Sequence, residues 1–537
     1  MTTGKRNIAI GANALDTATD GDDNVAIGYD AGTAITTASD NTVIGAYSGT
    51  ALTTGTANVA LGFESLMTED GNGESTAFGS QTLKMQNAGA SVLNVAVGYQ
   101  AGSAVTTGVK NVIVGASAGD ALAAGANNTA VGYEALSTED ANGNSTAIGY
   151  RALKTQNAGA EAYNVAVGVD AGLSVTTGIK NVIMGAFAGD ALDAGANNVA
   201  IGFEALSTED GHGESTAVGY QELKTQNAGA SGLNTAIGYL SGTSITTGVQ
   251  NTLVGASAGD NLTDADKNVV MGYQALTTDT KGSRSVAIGF ESLKTQNFST
   301  STDSHNTAVG NRTGALLSTG THNTLMGSQA GDAITSGNNN VAIGYESLTS
   351  NTKSDVNVAI GNFALASLNH TTSTDAYNVA IGHNAGGGVT TGTNNTLIGG
   401  LAGDALTAAF ENTAVGESAL SSDTLGRRTV AIGSGALQTQ NFTTATDSNN
   451  VAVGYDAGVS VTTGQYNTLI GSASGDAITD ADENVAVGYN SLSTNTLGNR
   501  TVAIGTGALR DQNYTTATDS FNTAVGHAAG LSVTTGK

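Results

Sequence analysis

Apolar residues recur along the chain in short runs with a period of two, each closed by glycine: in "NVAIGYDAG", Val25 and Ile27 alternate with Ala26 and Gly28. That is the period of a strand, not the 3.6 of a helix. The phrase [NST]-[IVT]-[AVIL]-[IVLFM]-G occurs thirty times between Asn7 and Asn522, with Gly always in fifth place. Most repeats are seventeen residues long, too short for a helical hairpin. A second apolar spot, as in "TAITTG", "SAVTTG" and "LSVTTG", is rich in β-branched residues and predicts another short strand, with Gly and Asn at the bends.

Every fourth step is longer: nineteen residues at Ser75 to Asn94, Ser145 to Asn164 and Ser215 to Asn234, and twenty-one from Ser285 onward. The ninth position follows the same cycle, reading Gly, Gly, Leu, Leu (Gly32, Gly49, Leu66, Leu83). The predicted fold is all-β: a parallel β-solenoid, or β-roll, of about 30 rungs of 17 residues with a four-rung supercycle of 70–72 residues. Residues 1–537 are expected to form one continuous rod, with the 70-residue supercycle in 7–305 and the 72-residue one in 306–537. Rungs rising about 4.8 Å each would give a length on the order of 140 Å.

In such a stack equivalent residues lie over one another. The first position is Asn in twenty-four of thirty rungs, so Asn24, Asn41, Asn58, Asn94, Asn111 and Asn128 are read as a buried amide ladder. The glycines Gly28, Gly45, Gly62 and Gly98 mark a bend that needs positive φ or close backbone approach.

Composition changes the picture in a few respects. With 75 Gly and no Pro, Cys or Trp, the chain is neither collagen, whose glycine falls at every third residue, nor a disulfide or thiolate-metal scaffold. The net charge of -26 argues against nucleic acid and anionic membrane surfaces as partners. The start, "MTTGKRNIAIG", has no apolar core behind its charges, so no signal peptide is expected in this chain.

The phrases "NVAIG", "NTAVG" and "STAIG" resemble the YadA-like head repeats of trimeric autotransporter adhesins, and "NTAVGYEAL" resembles repeats in tail-fibre proteins of marine bacteriophages. The resemblance implies a left-handed parallel β-roll, a homotrimer, and attachment to a host glycan or protein receptor from an extracellular or virion surface. The rung here is longer than the adhesin repeat, and the repeats fill this sequence without the coiled-coil stalk or membrane barrel of that family, so a virion fibre is expected ahead of an autotransporter.

Candidate contact residues are few. Lys84, Lys154, Lys224 and Lys294 recur at the base of the longer steps, as receptor contacts or as edge charges that discourage aggregation. Sixth-position aromatics, among them Tyr29, Tyr99 and Tyr133, form partial columns suited to sugar stacking or to packing. Asp70, Asn72 and Glu74, and Asp264 and Asp266, space oxygen ligands two apart as calcium loops do, but are equally what turns demand. The six His fall at scattered rung positions with no pair at metal spacing.

No catalytic motif is present and no cofactor is implied, so the expected function is a non-enzymatic fibre or adhesin shaft. The open ends, "TTGKRN" and "SVTTGK", raise head-to-tail polymerisation into a filament as an alternative. Ice binding is a lesser one, because adjacent pairs such as Thr106-Thr107 turn only one hydroxyl column outward.

Overall fold

The computed structural model describes residues 3–71, 73–89 and 91–537. They form two compact units, Met1–Lys267 and Asn268–Lys537. Each unit is a parallel β-solenoid with fifteen rung strands, from Ile8–Ile10 to Thr252–Val254 in the first and from Val269–Met271 to Thr523–Val525 in the second. No helix occurs among the described residues. Neighbouring strands pair without a register slip, as in Val25↔Thr42, Ala26↔Val43 and Ile27↔Ile44. Except in the first and last rung strands, the middle residue of each triplet is buried while its neighbours face outward.

The second predicted strand is not formed in the seventeen-residue rungs, where the segment around Ile35 consists of turns and bends. Residues seven and nine hold the left-handed conformation (Asp30, φ 55°; Gly32, φ 56°), which breaks an extended run. The apolar residue still goes into the core, with Ile35 fully buried, and the rungs still bond here through Thr36 N–H to Thr53 O at 3.0 Å. A second parallel pairing appears only beside the twenty-one-residue steps, where two residues past the apolar spot of the preceding seventeen-residue rung pair with two of the longer step, for example Gly282–Ser283 with Thr302–Asp303.

The Gly-Gly-Leu-Leu order has a packing cause. In Gly rungs the twelfth residue, Ile35 or Leu52, fills the core, and a methyl group on Gly32 would lie 2.9 Å from Ile35 Cδ1 and 3.1 Å from Val43 Cγ2. In Leu rungs the ninth residue supplies the apolar volume instead: Leu66 and Leu83 are fully buried at φ 50° and 46°. A left-handed Leu costs about 1–2 kcal/mol, and burying its side chain offsets this by about 1.5–3 kcal/mol. The twelfth position is thereby freed for a polar residue, buried Glu69 and Gln86.

The Asn column is a buried ladder. Asn24 Oδ1 accepts the Asn41 main-chain N–H at 3.1 Å, Asn41 Oδ1 accepts that of Asn58 at 2.9 Å, and Asn41 Nδ2 donates to Gly55 O at 2.9 Å. Asn41→Ala strands the Asn58 N–H and the Gly55 carbonyl inside the rung. It is expected to lower stability by about 3 kcal/mol, read from the denaturant midpoint of the variant against the native chain.

The Gly column combines both expected features. Gly28 has φ 140°, and a methyl on it would lie 2.6 Å from Gly45 C and O. Successive backbones are therefore in close contact at this bend.

Candidate functional site

The outward face of the rung strands is the main surface feature of both units. The second and fourth residues of the rungs, on either side of the buried triplet centre, face outward, half-exposed or exposed, and are largely apolar, the most exposed including Val59, Val112, Met184 and Ile237 in the first unit and Met271, Met326 and Ile470 in the second. The sixth residue, just beyond the Gly bend, adds a partial aromatic column that is fuller in the first unit; in the second it thins out, with Asn362, Glu417 and Ser434 among the replacements. Fifteen rungs about 4.8 Å apart, crossed by five residues at about 3.3 Å each, give a strip on the order of 1100 Å² per unit. Its outline, which takes in outward Thr residues such as Thr42 and Thr129, exceeds the apolar patch of about 300–600 Å² usual on a monomer and the roughly 800 Å² a partner contributes to a stable interface.

The aromatics touch one another along the column. Rings in the sixth position of adjacent rungs lie nearly parallel: Tyr133 and Tyr150 at 5.5 Å and 15°, Phe203 and Tyr220 at 5.5 Å and 13°, Tyr220 and Tyr239 at 5.2 Å and 15°. Tyr47 and Phe187 come from the seventh position and fill gaps at Ala46 and Ala186, meeting their neighbours edge-on at 82–87°. Tyr29 heads one such run, and Tyr99 is 55% exposed between the small residues Ser80 and Ala116 of its column. Parallel rings cover each other's faces, so inside a run the edges are offered, which suits an apolar partner better than stacking on a sugar.

The recurrent lysines are each engaged. Lys84 pairs with Glu64 at 2.6 Å, Lys154 with Glu134 and Lys224 with Glu204 at 2.5 Å, and Lys294 with Glu291 at 2.6 Å. Hydrogen bonding from Lys84, then from Gln81, holds the Glu64 carboxyl below the usual carboxylate range. The first three pairs fasten one rung to the next and Lys294–Glu291 lies within a rung; with 17–36% of each side chain exposed, solvent screening leaves little net stabilisation.

The structure shows local roles for some of the candidate calcium ligands. Asp70 uses its main-chain carbonyl to accept from Thr53 N–H, and Glu74 is exposed at φ 68°. Asn72 lies outside the described residues. Asp266 Oδ1 pins the preceding rung by accepting the Val249 N–H at 2.8 Å, and Asp264 keeps one buried oxygen without a partner. Among the described residues, only Glu209, Asp210 and His212 bring three ligand atoms within 4.8 Å of one another. Glu209 is already committed, accepting from Gln226 Nε2 at 3.0 Å and the His212 N–H at 3.2 Å, as Glu139 does from Gln156 and Asn142.

Two features are hidden from sequence reasoning based on local spacing. His305 and His322, seventeen residues apart, are ring neighbours at 5.2 Å, because one rung is the contact distance in this fold. The two rings are tilted by 32° to each other.

The other feature is a buried acid–amide network that recurs in most supercycles, with Glu69, Glu139, Glu209, Asp279 or Asp423 as the acid. Gln86 Nε2 donates to Glu69 Oε2 at 3.0 Å and to Ser75 Oγ at 2.9 Å, while Gln86 Oε1 accepts from Asn94 Nδ2 at 2.8 Å. Gln86 therefore carries the ladder across the longer step, where Ser75 replaces Asn. The same substitution recurs with Gln156, Gln226, Gln296, Gln440 and Gln512 opposite Ser145, Ser215, Ser285, Thr429 and Thr501. In the remaining supercycle the twelfth residue is Leu368, and there the first position keeps its amide, Asn357. A seventeen-residue look-ahead between Glu and Gln in the twelfth column would have revealed the network.

No protein-family model matches the chain, and no curated protein is significantly similar to it in sequence.

Buried carboxylates in this chain thus serve rung packing. Asp423 is the clearest: Oδ1 accepts from the Gly426 and Phe442 amides at 2.9 and 3.1 Å, and Oδ2 from Gln440 Nε2 at 2.6 Å. Burial pushes its carboxyl up, and the Gln440 and main-chain donors oppose that.

Proposed function

We propose that the chain is a non-enzymatic structural element of a fibre or adhesin shaft, in which copies of the chain pack against one another through the exposed apolar strip of their rung strands. The observation that carries this is the strip itself: outward apolar triplet residues backed by aromatic runs such as Phe187, Phe203, Tyr220 and Tyr239, of a size that water-exposed monomers seldom keep. Three copies is the number implied by the resemblance to adhesin heads. An extracellular or virion-surface location and a host receptor belong to the same reading.

The use of titratable groups in turns, ion pairs and ladder joints supports a scaffold in preference to an enzyme. The net charge of -26 supports a protein or neutral glycan partner over nucleic acid or an anionic membrane.

Placing two charges in the strip tests this reading. Tyr220→Glu with Tyr239→Glu alters residues 41% and 52% exposed, outside the core. The double variant is expected to sediment as a single chain with an unchanged circular dichroism spectrum, where the native chain sediments as a larger particle. Equal sedimentation of the two would reject the strip as the contact between copies.

A further inference from the structure

Glu222 is fully buried, and neither carboxyl oxygen has a hydrogen-bond partner. It sits in the eighth column, otherwise filled by Ala, Ser and Thr, where the structure supplies its own comparison. At Thr82 and Thr313 the hydroxyl donates to the carbonyl of the Gly that closes the next triplet: Thr82 Oγ1 to Gly98 O at 2.8 Å and Thr313 Oγ1 to Gly327 O at 2.6 Å.

A methyl group placed on the local column glycine locates these atoms. On Gly79 it would lie 2.8 Å from Thr82 Oγ1 and 2.3 Å from Gly98 O; on Gly310, 2.6 Å from both Thr313 Oγ1 and Gly327 O. On Gly219 it would lie 2.7 Å from Glu222 Oε1 and 1.8 Å from Gly238 O. Oε1 of Glu222 thus lies as near its column glycine's methyl as the threonine hydroxyls lie to theirs, and no farther from the Gly238 carbonyl oxygen than those two distances together. A carboxylate has nothing to donate there and would set negative charge against a carbonyl oxygen, whereas a carboxylic acid can donate.

The backbone is distinctive at the same point. Strands Thr216–Tyr220 and Thr235–Tyr239 run five residues and pair through Gly219↔Gly238 and Tyr220↔Tyr239, where other rung strands run three.

We infer that Glu222 is a neutral carboxylic acid in the folded protein, donating its O–H to the Gly238 carbonyl, and that this bond is a pH-sensitive latch between the rungs beginning at Ser215 and Asn234.

Burial pushes the Glu222 carboxyl up to about 8, opposed only by the nearby Ser241 amide. Charges in the adjoining rung are turned elsewhere: Glu204 is paired with Lys224 and accepts from Gln221, and the eighth-column residues on either side are Ala205 and Ser241. The sign follows from linkage. The folded form holds its proton to higher pH than the opened form, whose carboxyl has the ordinary value of 4.5. Stability of this joint is therefore complete below 4.5, falls as pH rises towards 8, and levels off above it.

Hydrogen exchange on the intact chain tests this, with rates corrected for intrinsic base catalysis. Protection of segment 216–239 is expected to fall by about tenfold per pH unit between pH 5 and 8 relative to segment 307–327, where Thr313 makes the equivalent bond. Glu222→Thr and Glu222→Gln are both expected to remove that difference. If the two native segments track each other across this range, or if Glu222→Thr keeps the native slope, the inference is overturned.

Discussion

Gly115→Ala, a change of one methyl group, is expected to unfold the rungs around it, while Gly159→Ala in the same unit is expected to cost only about 1–2 kcal/mol. Gly115 sits at φ 137°, a region closed to side-chain-bearing residues, and the added methyl would lie 2.4 Å from Gly132 O and 2.6 Å from Gly132 C. Both are main-chain atoms of the next rung, so neither can swing away without breaking ladder bonds such as Gly132 N–H to Val114 O at 2.7 Å. The cost is the backbone strain plus the lost pairing, more than about 4 kcal/mol. Gly159 also has positive φ, 67°, but open space surrounds it, leaving only the left-handed penalty. Denaturant unfolding of the two variants against the native chain checks the contrast. A similar small shift for both would show that inter-rung contact at the Gly column is looser than described.

The second large effect is expected at Gln440. Gln440→Leu leaves Asp423 Oδ2 without its side-chain donor, and Asn450 Nδ2 without the Gln440 oxygen it reaches at 2.8 Å. An uncompensated buried carboxylate makes the expected loss about 3–5 kcal/mol. The chain contains its own remedy. Around Leu368 an amide, Asn351, stands where the acid would be; its Oδ1 accepts the Ser354 N–H at 2.8 Å, its Nδ2 donates to Ser354 O at 3.1 Å, and the ladder passes through Asn357. The triple variant Asp423→Asn, Thr429→Asn, Gln440→Leu copies that arrangement, and is expected to recover most of the loss. Thermal midpoints of the single and triple variants measure the coupling. A triple variant no more stable than Gln440→Leu alone would mean that the three positions do not act as one joint.

Much of this architecture is legible in the sequence because each rung states it again. The strand triplets, the Gly bend and the Asn ladder appear wherever the repeat places them, since main-chain pairing at a fixed period tolerates little variation in the residues that shape it. The apolar spot around Ile35 misled because β-branched residues look alike in a strand and in a turn whose hydrophobic side chain is buried; left-handed residues such as Asp30 leave no mark in hydropathy. The Gly-Gly-Leu-Leu order was visible but its cause was not, as it requires knowing that residues nine and twelve compete for the same core space. His305 with His322, Gln86 with Glu69, and Tyr47 beside Tyr29 share one reason for going unseen: partners lie a rung apart or nearly so, beyond any local motif. The outward strip was only partly legible, its aromatics being evident while the exposure of the second and fourth triplet residues depended on which face the core would take.

The central claim is that this strip is covered by further copies of the chain. Light scattering coupled to size separation, on the intact native chain at micromolar concentration, tests it most directly. A particle of three times the 52.9 kDa chain mass is the predicted result, and a stable particle of one chain mass would contradict it.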